Sequence, residues 1–573
     1  MSHQIDDSES DGPDSLISAD AVGGTGANAK QTSGRLRPAA PADEASTLDA
    51  THSTLRREVV QLQEASNYEL LDEYWLREPF AFVAIFEDSV TEKGLYYLTE
   101  PDLDEGESAL YEKFTHTLKD ELLYRESLEE GADREAALED HVRSQIDTLP
   151  GFDPPTEAVE KVLYFLKRDL IGYERIDPLM HDPQLEEVSC NGVGPDKPIF
   201  IYHREYEDLE TNIYYPEGSL RPFVQKLAQR SGKDISTANP TQGAALPNGS
   251  RLQLTRQEIS PEGDTFTIRK FSDEPFTPID LVEYGTFDVE QLAYLWLLIE
   301  HDYSGIIAGG TGAGKTTTMN ALALFIPPGR KVITLEDTRE VKLPQKNKVA
   351  TLTREEFVTQ DSNTGVDMFA LLKSALRMRP VYMVVGEVRG EEAYNMFQAM
   401  NTGHTTFATL HADSMQTALS RLESEPMKIP KNLIAELGFV LIQTSTKMGD
   451  ERVRRLKTIN EVTELDPKTK QLRYEPTWEW DSNTDTIQKK STTSSLVAEM
   501  RDRGLNPDES FQERVDLLEY LARNGISDYD RVTTVVRAYM RSSEIVMEQV
   551  RDGALDFEML TAVEEGFKSD ALN

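Results

Sequence analysis

The chain has 573 residues, enough for about three or four domains that each bury a core. It carries 101 acidic against 60 basic residues, a formal charge of −41 at pH 7, and such a field repels nucleic acid and anionic lipid at ordinary ionic strength. The single cysteine, Cys190, excludes an internal disulfide framework and any multi-cysteine zinc site.

The acidic excess runs through segments that look folded and is not confined to one tail. It indicates the cytoplasm of an extreme halophile, because the Debye length falls to about 3 Å in molar salt and self-repulsion is screened. No segment approaches the roughly 18 consecutive apolar residues that a membrane-spanning helix needs. The N-terminus also lacks an apolar signal core. We therefore expect a soluble cytoplasmic protein without membrane insertion.

Composition and hydrophobic periodicity divide the chain into five segments. The first 55 residues contain no Phe, Trp or Tyr, so they cannot bury enough apolar surface to order themselves. Short apolar strand patterns and helical stretches then alternate, which predicts an α/β fold with a parallel sheet in its second half. The predicted segments are a disordered acidic tail (1–55), an N-terminal α/β module (56–150), a second N-terminal α/β module (151–275), a parallel α/β domain (276–470) and a C-terminal helical region (471–573).

The C-terminal helical region contains a predicted boundary between two helices near its middle. Asn524 and Gly525 form a helix-stop signal, and Ser527 or Asp528 is the predicted cap of the next helix.

Residues 309–316 read GGTGAGKT and match G-x-x-x-x-G-K-[ST], a phosphate-binding loop. Glycines let successive backbone N–H groups point at phosphates, and the following helix adds its positive end. Lys315 is placed to reach the β- and γ-phosphates, and the Thr316 hydroxyl to bind Mg²⁺. An apolar strand precedes the motif and a helix follows it, so we expect ATP and Mg²⁺ to bind here. The predicted binding residues are Gly309, Gly310, Thr311, Gly312, Ala313, Gly314, Lys315, Thr316 and Thr317.

Acidic side chains follow two later apolar strands. Glu336 and Asp337 come directly after the first, and Gly386-Glu387 ends the second. Ligands gather at the carboxyl ends of parallel strands, so these acids are expected to face the γ-phosphate and the metal. Glu387 is placed to orient or deprotonate the attacking water. Gly386 stands where an aspartate is usual, so the predicted metal ligands are Thr316, Glu336 and Glu387, with water.

His404 and His411 flank a further apolar strand. Their seven-residue spacing is not a familiar metal pattern and no third ligand accompanies them, so a zinc site is not expected. GTP specificity also lacks support, because Asn347-Lys348 is not followed by a specificity aspartate.

In order along the chain, four motifs resemble those of the secretion ATPases of the type II/type IV secretion and pilus superfamily. GGTGAGKTTTMNAL, ITLEDTREVKLP, VVGEVRGEEA and TGHTTFATLHADS look like its Walker A, Asp box, Walker B and His box. With PNGSRLQLTRQ and FTIRKF upstream, the resemblance covers residues 176–465. It implies a RecA-like motor domain, a homohexameric ring, and an N-terminal domain joined by a flexible linker. It also implies a polytopic membrane platform protein as partner at the inner face of the cell membrane.

The same resemblance assigns roles to single residues. Glu336 would polarise water, Glu387 would be the Walker B glutamate, and His411 would sense the γ-phosphate. It makes Arg251 and Arg269 the best candidates for arginine fingers, which can increase the catalytic rate by a factor of about 10³–10⁵.

Two further arginines, Arg256 and Arg221, rank behind them as finger candidates. Arg251 and Arg256 are separated by an odd number of residues, so a regular strand would point them to opposite faces.

Three functions remain open on the sequence. The first is an ATPase motor that assembles a type IV pilus-like filament, since the acidic composition and the extended termini look like the archaeal branch that powers pili and archaella. The second is a DNA-translocating or packaging motor, which would want a basic channel. The third is a nucleotide switch with little turnover, for which a water-activating acid is not needed. We expect no direct contact with nucleic acid.

Overall fold

The computed structural model describes residues 45–125, 134–148, 154–271, 275–354, 365–449, 451–466, 468–491 and 494–566. Most of the segment predicted to be disordered, residues 1–44, lies outside this part. Helix α1 (Ala45–Ala65) begins inside the predicted tail. Leu55 and Val59 of α1 are buried against Phe82 and Phe86, so a distant strand supplies the apolar partner that the tail itself lacks.

Within the described residues, the first sheet has nine strands. They are β1 (Tyr68–Arg77), β2 (Ala81–Asp88), β3 (Gly94–Thr99), β4 (Leu185–Cys190), β5 (Ile199–His203), β6 (Glu207–Thr211), β7 (Thr241–Ala245), β8 (Arg251–Thr255) and β9 (Thr265–Arg269). Their spatial order is β1-β2-β3-β6-β5-β4-β9-β8-β7. The β3–β6 pairing is parallel and the others are antiparallel. Strands from both predicted N-terminal modules therefore share one sheet, which we call the N-terminal sheet.

Helices pack against the N-terminal sheet and extend from it. They are α2 (Glu105–Arg125), α3 (Arg134–Asp147), α4 (Thr156–Leu166), α5 (Asp177–His181) and α6 (Leu220–Arg230). Alternating burial along β8 and β9 turns Leu252, Leu254, Phe266 and Ile268 into the core and leaves the opposite face accessible. That accessible face carries Arg251 and Arg269.

The second sheet, which we call the C-terminal sheet, also has nine strands among the described residues. They are β10 (Gly305–Gly309), β11 (Val332–Glu336), β12 (Lys348–Leu352), β13 (Tyr382–Val385), β14 (Thr405–Leu410), β15 (Phe439–Met448), β16 (Glu451–Leu465), β17 (Leu472–Asp481) and β18 (Thr486–Lys489). The order is β12-β11-β13-β14-β10-β15-β16-β17-β18. The first six are parallel and the last four form an antiparallel run, sharing β15.

Helices cover both faces of the C-terminal sheet. They are α7 (Pro278–Glu283), α8 (Val289–Glu300), α9 (Lys315–Ala323), α10 (Met368–Arg377), α11 (Glu392–Asn401), α12 (Met415–Glu423) and α13 (Lys431–Ile434). The C-terminal helices are α14 (Ser495–Asp502), α15 (Pro507–Arg523), α16 (Tyr529–Arg541), α17 (Ser543–Asp552) and α18 (Phe557–Glu565). One core joins α8, α9 and the C-terminal helices, and a second lies under α10 to α12. The predicted α/β class is confirmed: a RecA-like parallel sheet, a preceding α/β part and C-terminal helices.

The structure adds two strands to the segment predicted as purely helical. β17 and β18 lie there, so the helices begin only at Ser495. The helix boundary predicted at residues 524–528 is confirmed: α15 ends at Arg523, and the Asp528 carboxylate accepts the Arg531 N–H as the cap of α16. Among the described residues, no helix is long and apolar enough to cross a membrane.

Candidate functional site

The phosphate-loop motif, residues 309–316, lies where the sequence predicts it, between the end of β10 and the start of α9. Gly312 and Gly314 have φ angles of +69° and +86°, in the left-handed region where a side chain would be strained. A Cβ on Gly309 would lie 2.9 Å from the carbonyl oxygen of Gln443, so the neighbouring strand allows no side chain there. The glycines are therefore needed for the shape of the loop.

The remaining predicted binding residues line the same turn. Thr311 is exposed and Ala313 is buried. Thr316 and Thr317 are half-buried in the first turn of α9, where backbone N–H groups lack partners within the helix. The helix end and its hydroxyls thus face the same space as the loop.

Lys315 is half-buried, and its Nζ donates to the carbonyl oxygen of Gly310 at 2.7 Å. Burial lowers the pKa of Lys315, the charge of Glu387 raises it, and the charge of Arg269 lowers it. Both residues are therefore within electrostatic reach of this lysine in the same chain. A bound polyphosphate would offset the repulsion between Lys315 and Arg269 by attracting both cations.

Glu387 follows β13 directly after Gly386 and is half-buried. In the described part of the chain its carboxylate makes no side-chain hydrogen bond or ion pair. An unpaired acid facing a lysine at a strand end is available to bind a water molecule or a metal ion.

Glu336 ends β11 but is only 1% exposed. Its Oε1 accepts the N–H groups of Glu340 and Val341 at 2.8 and 2.7 Å, and its Oε2 accepts the Thr334 hydroxyl at 2.9 Å. Burial raises the pKa of Glu336, and these three hydrogen bonds oppose the rise. The carboxylate is thus held by its own strand and by the loop that follows.

Next to it, Asp337 lies nearer the surface and forms an ion pair with Arg389. The Thr353 hydroxyl donates to the same carboxylate at 3.0 Å. This pair bridges the ends of β11 and β13, the two strands that carry the candidate acids.

The two histidines are at opposite ends of β14. His411 directly follows the strand, and its Nε2 is hydrogen bonded to the Thr311 hydroxyl at 2.9 Å. His404 precedes the strand, and its Nδ1 contacts the Ala399 carbonyl at 3.3 Å, near the end of α11. Only His411 reaches the phosphate-loop motif.

Arg251 and Arg269 are cross-strand partners on β8 and β9, and both are exposed on the accessible face of the N-terminal sheet. Neither makes a side-chain hydrogen bond or ion pair with the described residues. By contrast, Arg256 is buried, 3.4 Å from Asp264. Strand β8 ends at Thr255, so Arg256 lies just beyond the strand and the opposite-face prediction does not apply to it.

Arg221 contacts the same two acids as Arg256, since its Nη2 lies 3.3 Å from Glu258 and its Nε lies 3.9 Å from Asp264. Both of the lower-ranked arginines are therefore engaged away from the phosphate-loop motif.

Two arginines of β16 were not predicted as site residues, and one of them contacts the motif. The Nε of Arg454 on β16 donates to the Gly312 carbonyl at 3.0 Å, inside the motif. Arg452 on the same strand donates to Glu207 of the N-terminal sheet at 3.1 Å and so joins the two sheets. The available signal was the run Arg452, Arg454, Arg455 and Lys457 in a strongly acidic chain.

Residues 191–511, more than half of the chain, match the family model described as "Type II/IV secretion system protein". The chain belongs to this family. The superfamily inferred from the motifs is confirmed. Residues 45–102 match a second model, described as "PilB3-like, N-terminal".

Several proteins are similar to this member of the type II/IV secretion system family. The uncharacterized protein MJ0900 of Methanocaldococcus jannaschii is 35% identical over 392 residues, 67% of this chain and 70% of its own length. The type IV secretion system protein VirB11 of Brucella suis biovar 1 is 28% identical over 302 residues, 47% of this chain and 82% of its own. The solved structure of the VirB11 ATPase from Brucella suis in complex with sulphate is 24% identical, covers 52% of this chain and 93% of its own, and gives a TM-score of 0.25.

Proposed function

We propose that this protein is an ATP-hydrolysing motor that powers assembly of a type IV pilus-like filament, a pilus or archaellum, or a related secretion process. It acts as a homohexamer on a polytopic membrane platform protein. It lies in the cytoplasm, peripheral to the inner face of the cell membrane. Membership of the type II/IV secretion system family and the similarity to VirB11 support this proposal.

One observation carries the ATPase part of the proposal. Lys315 begins α9 directly after the loop that follows β10, Glu387 follows β13, and both Glu387 and Arg269 on β9 lie within electrostatic reach of Lys315. Three different elements thus supply the charges at this site. Lys315 is the cation for the phosphates, Glu387 is the acid for the attacking water, and Arg269 is a second cation for the charge that develops in the transition state. Phosphoryl transfer needs this combination, since catalysis consists mostly of positioning and charge stabilisation.

In the proposed reaction Glu387 orients and deprotonates the attacking water, because its carboxylate makes no hydrogen bond or ion pair with the described residues and lies within electrostatic reach of Lys315. His411, bonded to Thr311, senses the γ-phosphate through the loop. For Glu336 to polarise water, the loop that covers its carboxylate has to shift, since the side chain is 1% exposed.

The residues present fit a magnesium ion. The Thr316 hydroxyl and the Glu387 carboxylate are accessible oxygen ligands, which Mg²⁺ prefers together with water and phosphate oxygens. Glu336 joins the set only if its hydrogen bonds to the loop are released. A bound Mg²⁺ would supply charge neutralisation on the phosphates.

Turnover with and without DNA tests the proposal. ATP hydrolysis by the purified chain should be unaffected by duplex DNA, and Lys315→Ala should abolish it. In the source organism, a strain carrying only the Lys315→Ala form should lack a pilus-like filament that the parent assembles. Strong stimulation by DNA together with normal filaments would instead indicate a DNA motor.

A further inference from the structure

A cavity of about 260 Å³ lies away from the phosphate-loop motif. It is open to solvent and is lined by the segment after β9, by β11 and the loop that follows it, by the edge strand β12 and by the start of α16. No residue of the motif lines it, so it is separate from the proposed ATP site.

The cavity is positively charged, although the chain as a whole is strongly acidic. Arg339, Lys342 and Lys348 line it, and no lining residue carries a carboxylate. Arg339 is exposed and makes no side-chain hydrogen bond or ion pair with the described residues. Burial lowers the pKa of Lys348, and the charges of Arg339 and Arg537 lower it further. These cations repel one another, which an anion would relieve.

Two aromatic side chains complete the lining. Phe271 and Tyr529 both face the cavity, and the Lys342 ammonium lies 4.8 Å from the centroid of the Phe271 ring. Arginine and lysine beside aromatic rings suit a phosphate group attached to a planar base, since the cations bind the oxygens and the rings stack.

Two residues that line the cavity also hold the Glu336 side chain in place. Thr334 and Val341 line the cavity, and both hydrogen bond to the Glu336 carboxylate. Asn320 of α9 donates to the Glu340 carbonyl at 2.9 Å and accepts the Lys342 N–H at 2.8 Å. The same loop therefore contacts the cavity, a candidate catalytic acid and the helix that begins at Lys315.

We propose that this cavity is a second binding site, which takes a phosphate-bearing small ligand, either a nucleotide or free polyphosphate. Arg339 and Lys348 bind the phosphate, and Phe271 and Tyr529 contact a base when one is present.

Equilibrium dialysis of the full chain with radiolabelled ADP tests the proposal. The parent should bind two ADP per chain, Lys315→Ala one, and the double variant Arg339→Ala/Lys348→Ala one, with at least a tenfold loss of affinity at the second site. The matched control Lys346→Ala/Lys373→Ala removes two cations that do not line the cavity and should bind two. Arg339→Lys/Lys348→Arg should restore binding, which separates lost charge from misfolding.

Competition identifies the source of the phosphate. Displacement of ADP from the second site by pyrophosphate shows that phosphate alone is recognised, and displacement by AMP but not pyrophosphate shows that the base contributes. One ADP per chain in both the parent and the double variant would overturn the proposal. So would a double variant that keeps two ADP and changes only its oligomeric state by light scattering, because the cavity would then be a subunit interface.

Discussion

Thr311 and His411 are joined by a 2.9 Å hydrogen bond between the threonine hydroxyl and Nε2 of the histidine. Thr311 belongs to the phosphate-loop motif and His411 follows β14, the strand beside β10. Any ligand that draws the Thr311 hydroxyl toward itself therefore changes the environment of His411. Through this hydrogen bond His411, the proposed γ-phosphate sensor, contacts the phosphate-loop motif directly.

Lys315→Ala should abolish both nucleotide binding and hydrolysis, because it removes the cation that holds the phosphates. Glu387→Gln should keep ATP bound while abolishing turnover, since only the carboxylate that activates water is lost. ATP affinity by calorimetry and phosphate release measure the two effects. Parental turnover in the Gln variant would show that Glu387 has another role.

Arg251→Ala and Arg269→Ala should each reduce turnover by about 10³-fold or more while ATP affinity stays within about tenfold, as expected of groups that act in the transition state. Arg221→Ala is the matched control, since Arg221 contacts Glu258 instead. In the parent, specific activity should rise with protein concentration where a ring of six is dissociating. Full activity of a dilute monomer by light scattering would rule out a ring-dependent site.

Arg454→Ala should weaken nucleotide binding by about tenfold, because it removes a charged hydrogen bond that fixes the phosphate-loop motif. Lys457→Ala provides the comparison: it deletes an exposed cation on the same strand. Equal losses in the two variants would mean that only the local charge matters and that the contact with Gly312 does not.

Glu336→Ala should lower the free energy of unfolding by about 2–4 kcal/mol, because the buried N–H of Val341 and the part-buried N–H of Glu340 lose their acceptor. Glu336→Gln keeps an oxygen for both groups and should cost less than about 1 kcal/mol. Denaturant unfolding compares the variants. If Glu336 polarises water, both the Ala and the Gln variant should lose turnover. A Gln variant that hydrolyses ATP would show that Glu336 has only a structural role.

The parent should keep its fold and activity only in concentrated salt. Carboxylates repel one another over about 10 Å at 0.1 M salt and over about 3 Å at 1 M. Circular dichroism and turnover across a KCl series measure this. A full native signal in dilute buffer would contradict the halophilic interpretation.

What the sequence could predict depended on how local each signal was. The strand–loop–helix around Lys315 and the cap at Asp528 are encoded within a few residues, and both are present. Arg454 was missed because its contact with Gly312 requires β16 to pair with β15 and β15 with β10. β17 was missed for the same reason, since its partner β16 comes from the preceding domain segment.

The buried position of Glu336 also lay beyond sequence reasoning. The pattern placed the residue correctly at a strand end, but the direction of its carboxylate is set by the loop that turns back over it. Whether an acid at a strand end faces solvent or its own backbone is decided by such tertiary contacts.

The pairing of β3 with β6 has a mechanical consequence. It joins the N-terminal strands into one continuous sheet. This sheet contains both the outer strand β1 and β9, which carries Arg269. Six strand-to-strand steps of about 4.8 Å separate them, or about 29 Å along the sheet. A tilt of this sheet at Arg269, which lies within electrostatic reach of Lys315, would therefore produce a larger displacement at β1, beside α1.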